Sequence, residues 1–232
     1  MIPIRKNHQA AFTLIELMIV IAIIAFIAAI AIPSFLRAKI AANESGAIQT
    51  LRSLFTAEEE LRLADIIDQD ADGSGEYGFF QELCGKVAPP GHAAPVLPEF
   101  FDPVFGVMNG AGAASRAGYH FKIYLPGPGA AGPPVGETGG SNSASANQNE
   151  IDMREVRWVC YAWPMAHNFT ARRAFALNQD GIIFVTKAMV TTYDSTNVIP
   201  QPQAAYAPGS QNLKGTLANG VGTDGNTWRP SD

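Results

Sequence analysis

Asp68, Asp70 and Asp72 stand at alternate positions and are followed at once by Gly73 and then by Glu76. This spacing turns carboxylates toward a common centre while the glycine permits a sharp turn. It is the first half of the loop with which an EF-hand holds a hard cation such as calcium. The second half departs, because position twelve, which should be a bidentate Glu, is Phe79. The run is therefore not an EF-hand, and two readings stay open. In one, Asp68, Asp70, Asp72 and Glu76 ligate calcium, the single cofactor toward which the sequence points. In the other they form a solvated acidic turn whose Asp and Gly serve turn chemistry. The six acids and absence of Lys or Arg between Leu63 and Gly85 fit either reading.

No comparable constellation occurs elsewhere. His8, His92, His120 and His167 stand apart, with His120 alternating among strand residues toward solvent. There is no nucleophile elbow, no pair of metal-binding histidines and no phosphate loop. Gly127, Gly129 and Gly132 spell GxGxxG, but prolines flank the motif and no helix follows, so it is not a dinucleotide site. The chain reads as not an enzyme; a signal-anchored enzyme with a dispersed site is the remaining alternative of that class. With 16 Lys+Arg against 21 Asp+Glu, a net charge of -5 and a pI near 5.4, it lacks the basic footprint of a nucleic-acid binder. Two cysteines are too few for a disulfide scaffold or a four-cysteine zinc module.

The elements that must position these residues begin with an apolar run. Charged residues make up 16% of the chain, against roughly 25% in ordinary soluble domains. Every residue from Leu17 to Ile32 is apolar, and Phe12 to Leu36 is interrupted only by Thr13, Glu16, Pro33 and Ser34. A bilayer core needs about 20 helical residues, which this stretch supplies. Its large apolar side chains favour insertion by roughly 3 to 6 kcal/mol, whereas Glu16 opposes it by about 2.5 to 3.5 kcal/mol at mid-membrane and less near an interface. The run therefore inserts, and Glu16 is a cost that a plain anchor has no reason to keep. Arg5 and Lys6 before the run are balanced by Arg37 and Lys39 after it. Orientation follows instead from the long domain beyond, which translocates largely regardless of flanking charge.

Ala11-Phe12-Thr13-Leu14-Ile15-Glu16-Leu17, the apolar run and then Pro33 resemble the N-terminal signature of type IV prepilins and type II secretion pseudopilins. The resemblance implies a leader, 1–11, removed by a prepilin peptidase between Ala11 and Phe12, with methylation of the new terminus at Phe12. The family usually has Gly before the cut, where this chain has Ala11. Glu16 corresponds to the family's acidic fifth residue and Pro33 to its helix-kinking proline. The implied product is a subunit of a type IV pilus-like filament in contact with copies of itself, other pilins or pseudopilins and an inner-membrane assembly platform. It sits in the inner membrane as a single pass with its head in the periplasm before it joins the filament. The alternative is a pseudopilin acting in protein export, toward which the acidic loop leans because that family's major subunits use calcium. The physics of Glu16 agrees with assembly: a carboxylate in hydrocarbon needs a partner, and a neighbouring subunit's terminal ammonium supplies one.

The expected fold is α+β, with a long N-terminal helix packed on a small antiparallel β-sheet, as in pilins. The transmembrane and assembly helix, 12–36, continues as an amphipathic helix, 37–64, kinked or locally melted near Pro33. Ile40, Ile48, Leu51, Phe55 and Leu61 form its apolar face and Glu44 lies off it. The head, 65–194, carries strands at Tyr119–Leu125 and Val156–Trp163, and a hairpin turning at Asn178-Gln179-Asp180-Gly181. Residues 126–148 and a tail, 195–232, are rich in Gly, Pro, Ser, Asn and Ala and read as loops or disorder. Cys84 and Cys160 in an exported head are expected to pair, with two separately buried thiols as the alternative.

Overall fold

A computed structural model of the chain describes residues 12–129 and 132–231. There are two compact units, Met1–Lys39 and Ile40–Asp232. Helix α1, Leu14–Leu63, contributes residues to both. In the first unit its apolar side chains are exposed on every side; Leu17, Ile21, Ile24 and Phe26 are each more than half exposed. Among the described residues it is the one helix long and apolar enough to cross a membrane. It runs unbroken through Pro33, so the local melting expected there does not occur. The proline removes one N–H from the ladder and the neighbouring turns carry the rest.

From Ile40 onward α1 is amphipathic. Ile40, Glu44, Ala47, Leu51, Leu54, Ala57, Glu58 and Leu61 are buried, a stripe that advances mostly in steps of three and four. Glu44 lies inside this stripe rather than off it. Its Oε2 pairs with Arg173 Nη2 at 2.6 Å and its Oε1 accepts the backbone N–H groups of Arg172 and Arg173 at 3.2 and 3.3 Å. Those three partners compensate a carboxylate that burial would otherwise penalise.

The stripe packs on an antiparallel sheet. Its strands are β1 (Ala114–Arg116), β2 (Tyr119–Leu125), β3 (Val135–Gly136), β4 (Val159–Pro164), β5 (Phe175–Asn178), β6 (Phe184–Ala188), β7 (Gly220–Val221) and β8 (Thr227–Pro230). They lie in the order β1-β2-β4-β5-β6-β8-β7, with β3 also paired to β2. Two short helices, α2 (Phe80–Leu83) and α3 (Gln148–Arg154), and a 3-10 turn at Pro103–Gly106 complete the unit. The fold is α+β, as the sequence predicts. Tyr119, Phe121, Ile123 and Leu125 of β2, Cys160 and Ala162 of β4 and Phe175 and Leu177 of β5 join Leu51, Leu54 and Leu61 of α1 in one core. Each such large side chain contributes about 1.5 to 3 kcal/mol when fully buried. The predicted hairpin forms between β5 and β6. Gly181 at its turn has φ +72°, and a Cβ there would crowd the Phe55 ring at 3.1 Å, so glycine answers both demands.

The far face of the sheet is buried as well. Val159, Tyr161 and Trp163 of β4, with Tyr124, Ala176 and Phe184, form a second core on the opposite side. It is closed by Tyr193, Ala204, Ala205, Tyr206, Leu213, Leu217 and Trp228. Within the segment expected as loops or disorder, residues 195–231 are mostly loop and contribute the short strands β7 and β8 as they cover the sheet. His120 is likewise buried rather than solvent-facing, with its Nδ1 2.8 Å from Ser115 Oγ and its ring 5.6 Å from that of Trp163. Residues 126–148 supply β3, and Asn212 Oδ1 and Nδ2 bond the N–H and C=O of Gly127 at 2.8 and 3.0 Å.

Trp228 tests this second core. Trp228→Ala removes a fully buried indole, so the expected loss is about 3 to 5 kcal/mol, read by urea unfolding of the full chain in detergent. A change below about 1 kcal/mol would mean that the C-terminal segment does not close the sheet.

Candidate functional site

Two groups of sequence-predicted residues are brought together by the fold. The first is at the start of α1. Thr13 Oγ1 accepts the Glu16 N–H at 3.2 Å, and Glu16 Oε2 accepts the Thr13 N–H at 2.9 Å and its hydroxyl at 2.7 Å. This is a reciprocal capping box, with Thr13 at the N-cap and Glu16 three residues on. The carboxylate that apolar surroundings would leave unsatisfied thus has local partners, and it lies where the helix dipole favours negative charge. The T-x-x-E spacing that signals this cap is legible in the sequence, where Glu16 reads only as a cost. Phe12 is 86% exposed and Pro33 lies inside the helix. Ala11 lies outside the described residues.

The second group is the loop that follows α1. Gly75 faces the carbonyl of Arg62 so closely that a Cβ would collide with it, which seats the loop against the helix end. One carboxylate oxygen each from Asp68, Asp70 and Asp72 lies within 4.8 Å of the others, the reach of a single ion. Asp68 also accepts the N–H groups of Asp72 and Gly73, at 3.2 and 3.3 Å. Glu76 is fully buried and belongs to a different layer: its Oε1 accepts the Gln69 N–H at 3.0 Å and its Oε2 has no partner. Burial, assisted by the charges of Asp68 and Asp70, raises its pKa to about 7.

Sequence reasoning missed two further acids. Asp152 of α3 and Glu155 at its C-terminal end form a second triad with Asp70, again within 4.8 Å. Gln148, one turn earlier on α3, donates its amide to both Asp70 and Asp152. Glu155 Oε1 is buried without a partner, and desolvation together with Asp72, Asp70, Asp152 and Asp68 raises the Glu155 pKa to about 7. Some eighty residues separate α3 from the loop, so no local spacing could announce the pairing.

Cys84 and Cys160 are both free and buried, which corrects the expected bridge. The Cys84 thiol donates to the Asp102 carbonyl at 3.1 Å. Cys160 sits inside β4 between Ile123 of β2 and Leu177 of β5, facing the core beneath α1. Burial pushes the Cys84 thiol up to about 12 and raises that of Cys160 well above its usual value, so both are unreactive at neutral pH.

Residues 6–32 match the prokaryotic N-terminal methylation motif. Over 75 residues the chain is 44% identical to the type IV major pilin protein PilA of Myxococcus xanthus (strain DK1622). The N-terminal region of the chain is therefore similar to that of type IV prepilins. The match covers 32% of this chain and about one third of the pilin's own length. No solved structure matches the chain significantly. The prepilin motif contains Phe12 and Glu16 and ends at Ile32, before Pro33 and the acidic loop.

Beyond the prepilin motif, the chain leaving the acidic loop is gripped by buried acids. The N–H groups of Gly78, Phe79, Phe80 and Gln81 donate in turn to Glu58 Oε2 at 3.2 Å, Glu82 Oε2 at 2.7 Å, Glu137 Oε2 at 3.1 Å and Glu137 Oε1 at 2.9 Å. Glu82 also holds the Ser143 N–H and hydroxyl at 2.9 and 2.8 Å. Desolvation dominates and, with the charge of Glu82, carries Glu137 to about 8; burial with the charges of Glu82 and Glu137 raises Glu58, and burial raises Glu82. The folded chain therefore keeps a proton on Glu137 that the unfolded chain releases above its ordinary value of 4.5. Stability is greatest below that value and falls as pH rises toward about 8. Urea midpoints of the full chain in detergent are expected to decline from pH 6 to pH 8.5. The decline should be shallower in Glu137→Gln, and an equal or steeper one would refute the assignment.

Proposed function

We propose that the chain is a structural subunit of a type IV pilus-like filament. In this reading a prepilin peptidase removes residues 1–11, Phe12 becomes an N-methylated terminus, and the subunit enters the filament from the inner membrane. Its second unit faces the periplasm, and an inner-membrane assembly platform adds it to copies of itself and other pilins. The subunit itself catalyses nothing. The observation that carries this reading is the methylation motif leading directly into a helix whose apolar side chains are exposed on every side. Such a surface is stable in lipid or against other apolar helices, and in water it is a liability.

Glu16 supplies the direction of assembly. Thr13 satisfies its hydrogen bonding but brings no compensating charge. In hydrocarbon, a neighbour's terminal ammonium is the natural counter-ion. A contact between one subunit's terminus and the next subunit's Glu16 is heterologous and staggered, so it propagates as a helix instead of closing into a ring. The major pilin relative favours an extended pilus. A pseudopilin working in protein export is the second reading, favoured by the cluster of acids in the loop after α1.

Mass spectrometry of sheared filaments is expected to find a mature chain beginning at N-methylated Phe12; an unmodified terminus or another start site would overturn the processing. Glu16→Gln keeps an acceptor for the capping box while removing the charge. It is expected to leave the precursor in the membrane fraction and to reduce sheared filaments at least tenfold, roughly the effect of losing 1.4 kcal/mol per subunit contact. Wild-type filament yield from Glu16→Gln would reject the charge pairing.

A further inference from the structure

Resting on the reading that residues 12–36 span a membrane, we propose that the second unit docks on anionic phospholipid headgroups through the end at which α1 enters it. Phe169 inserts at the interface, and Arg172 and Arg173 pair with lipid phosphate. Ile40 is the first residue of the second unit and Leu36 the last of the apolar stretch. The helix is unbroken between them, and four helical residues rise about 6 Å. That is close to the depth of one headgroup layer, roughly 5 to 7 Å.

The segment between β4 and β5 is tied to the first turns of α1 within the second unit. Asn43 Nδ2 donates to the Thr170 carbonyl at 2.8 Å, and Glu44 Oε1 holds the N–H groups of Arg172 and Arg173. Inside the segment, the N–H groups of Phe169 and Thr170 both donate to the Ala166 carbonyl, at 3.1 and 2.9 Å, and Thr170 Oγ1 accepts the Ala166 N–H at 3.0 Å. Asn168 takes φ +64°, a left-handed conformation that few residues other than glycine adopt. This bonding fixes a turn that presents Phe169, 78% exposed, with Met165 of the same segment also exposed. A large aromatic side chain kept out of both cores gains nothing in water, whereas at a headgroup layer it buries apolar surface.

The charges suit a negative surface. Arg172 is exposed and, among the described residues, in no salt bridge. Arg173 gives Nε and Nη2 to Glu44 Oε2, and its side chain remains 46% exposed. The acids bonded to the segment are themselves occupied, Glu44 by Arg173 and Asp194 by the His167 N–H at 2.8 Å. In sequence, Arg37 and Lys39 lie between the apolar stretch and Ile40. With Arg172 and Arg173 they reach the lower end of the about four to eight basic residues that mark binding to anionic lipid. In a chain of net charge -5 this is a local reversal of sign.

The full chain is reconstituted in vesicles of phosphatidylcholine with and without phosphatidylglycerol, and a reporter tryptophan is introduced by Phe169→Trp. Trp158, Trp163 and Trp228 are fully buried, so aqueous acrylamide reports the new indole. Leu63→Trp, exposed at the far end of α1 and about 35 Å from Ile40 along the helix, is the reference. With phosphatidylglycerol, Phe169→Trp is expected to be shielded from acrylamide and quenched by lipids brominated near the headgroup, while Leu63→Trp stays open to acrylamide. Adding Arg172→Gln should shift the docked-to-free ratio about fivefold toward free, the contribution of one cation near an anionic surface. Equal acrylamide quenching of the two reporters in chains that float with the vesicles would overturn the docking and leave the membrane span standing. Failure to float would overturn both. Shielding that is as strong without phosphatidylglycerol would overturn the role given to the arginines. Shielding that disappears as the chains are diluted in lipid would assign the surface to a second copy of the chain instead.

Discussion

Four successive backbone N–H groups, from Gly78 to Gln81, all donate to buried carboxylates, and those carboxylates come from three parts of the chain. Glu58 belongs to α1, Glu82 to α2 and Glu137 to the segment after β3. None of them is adjacent in sequence to the others, so the short stretch they grip becomes the point where helix, loop and sheet edge are held in register. The arrangement is expensive in charge. Three carboxyl groups in one dry region repel each other and resist ionisation, and what balances this is the supply of four directed donors that would otherwise be orphaned. The chain leaving the acidic loop is thereby fixed at both ends, by this hub and by the Gly75 contact with the end of α1.

A sheet buried on both faces follows from the same economy of apolar groups. Strands β2 and β4 alternate in sequence, which reads as one dry face and one wet one. Alternation, however, reports only that neighbouring side chains point opposite ways; it does not report what covers the second face. Tyr124, Tyr161 and Trp163 carry polar atoms on large apolar bodies, and the covering segment reaches those atoms with backbone carbonyls: Pro200 for Tyr124, Pro202 for Tyr161 and Ser195 for Trp163. His120 is buried by the same logic, with Ser115 meeting its ring nitrogen. The helix stripe, the hairpin at Gly181 and the α+β class were legible because each depends on local period or turn chemistry. The burial of the far face was not, because it depends on partners supplied 30 to 100 residues away.

The legibility of the functional residues divides along the same line. The apolar run, Phe12, Glu16 and the alternate aspartates stand out because their spacing is their signature. The local cap on Glu16 was equally available in Thr13-x-x-Glu16, but an acidic residue at the edge of an apolar run draws attention to desolvation before capping. Asp152 and Glu155 carry no signature at all: a short helix with two acids on one side is ordinary until the fold lays it against the loop. The cysteines show the converse error. Compartment and count argue for pairing, yet Cys160 is locked in the centre of a sheet and Cys84 beside Asp102, and each position is explained by packing alone.

The low charge of the chain acquires a specific meaning from these placements. Segments 126–148 and 195–232 have few large apolar side chains with which to offset the entropy of ordering, about 1 to 2 kcal/mol per residue for the backbone. Beside the apolar groups that close the second core, they are anchored by buried polar side chains that imitate backbone. Asn212 pairs with both amide groups of Gly127, Asn226 takes the N–H groups of Val190 and Thr191 and donates to the Thr191 carbonyl, and Arg154 holds Pro126 and Ser143. Each of these side chains is nearly or wholly buried, where a hydrogen bond is worth most and its loss is most costly. Part of the scarce charge is spent inside: Glu44, Glu58, Glu76, Glu82, Glu137, Glu150 and Arg154 are all buried. Half-buried Asp68 and Asp70 and exposed Asp72 lie together on the loop after α1, so this cluster of negative charge is also the one whose geometry the buried acids hold fixed.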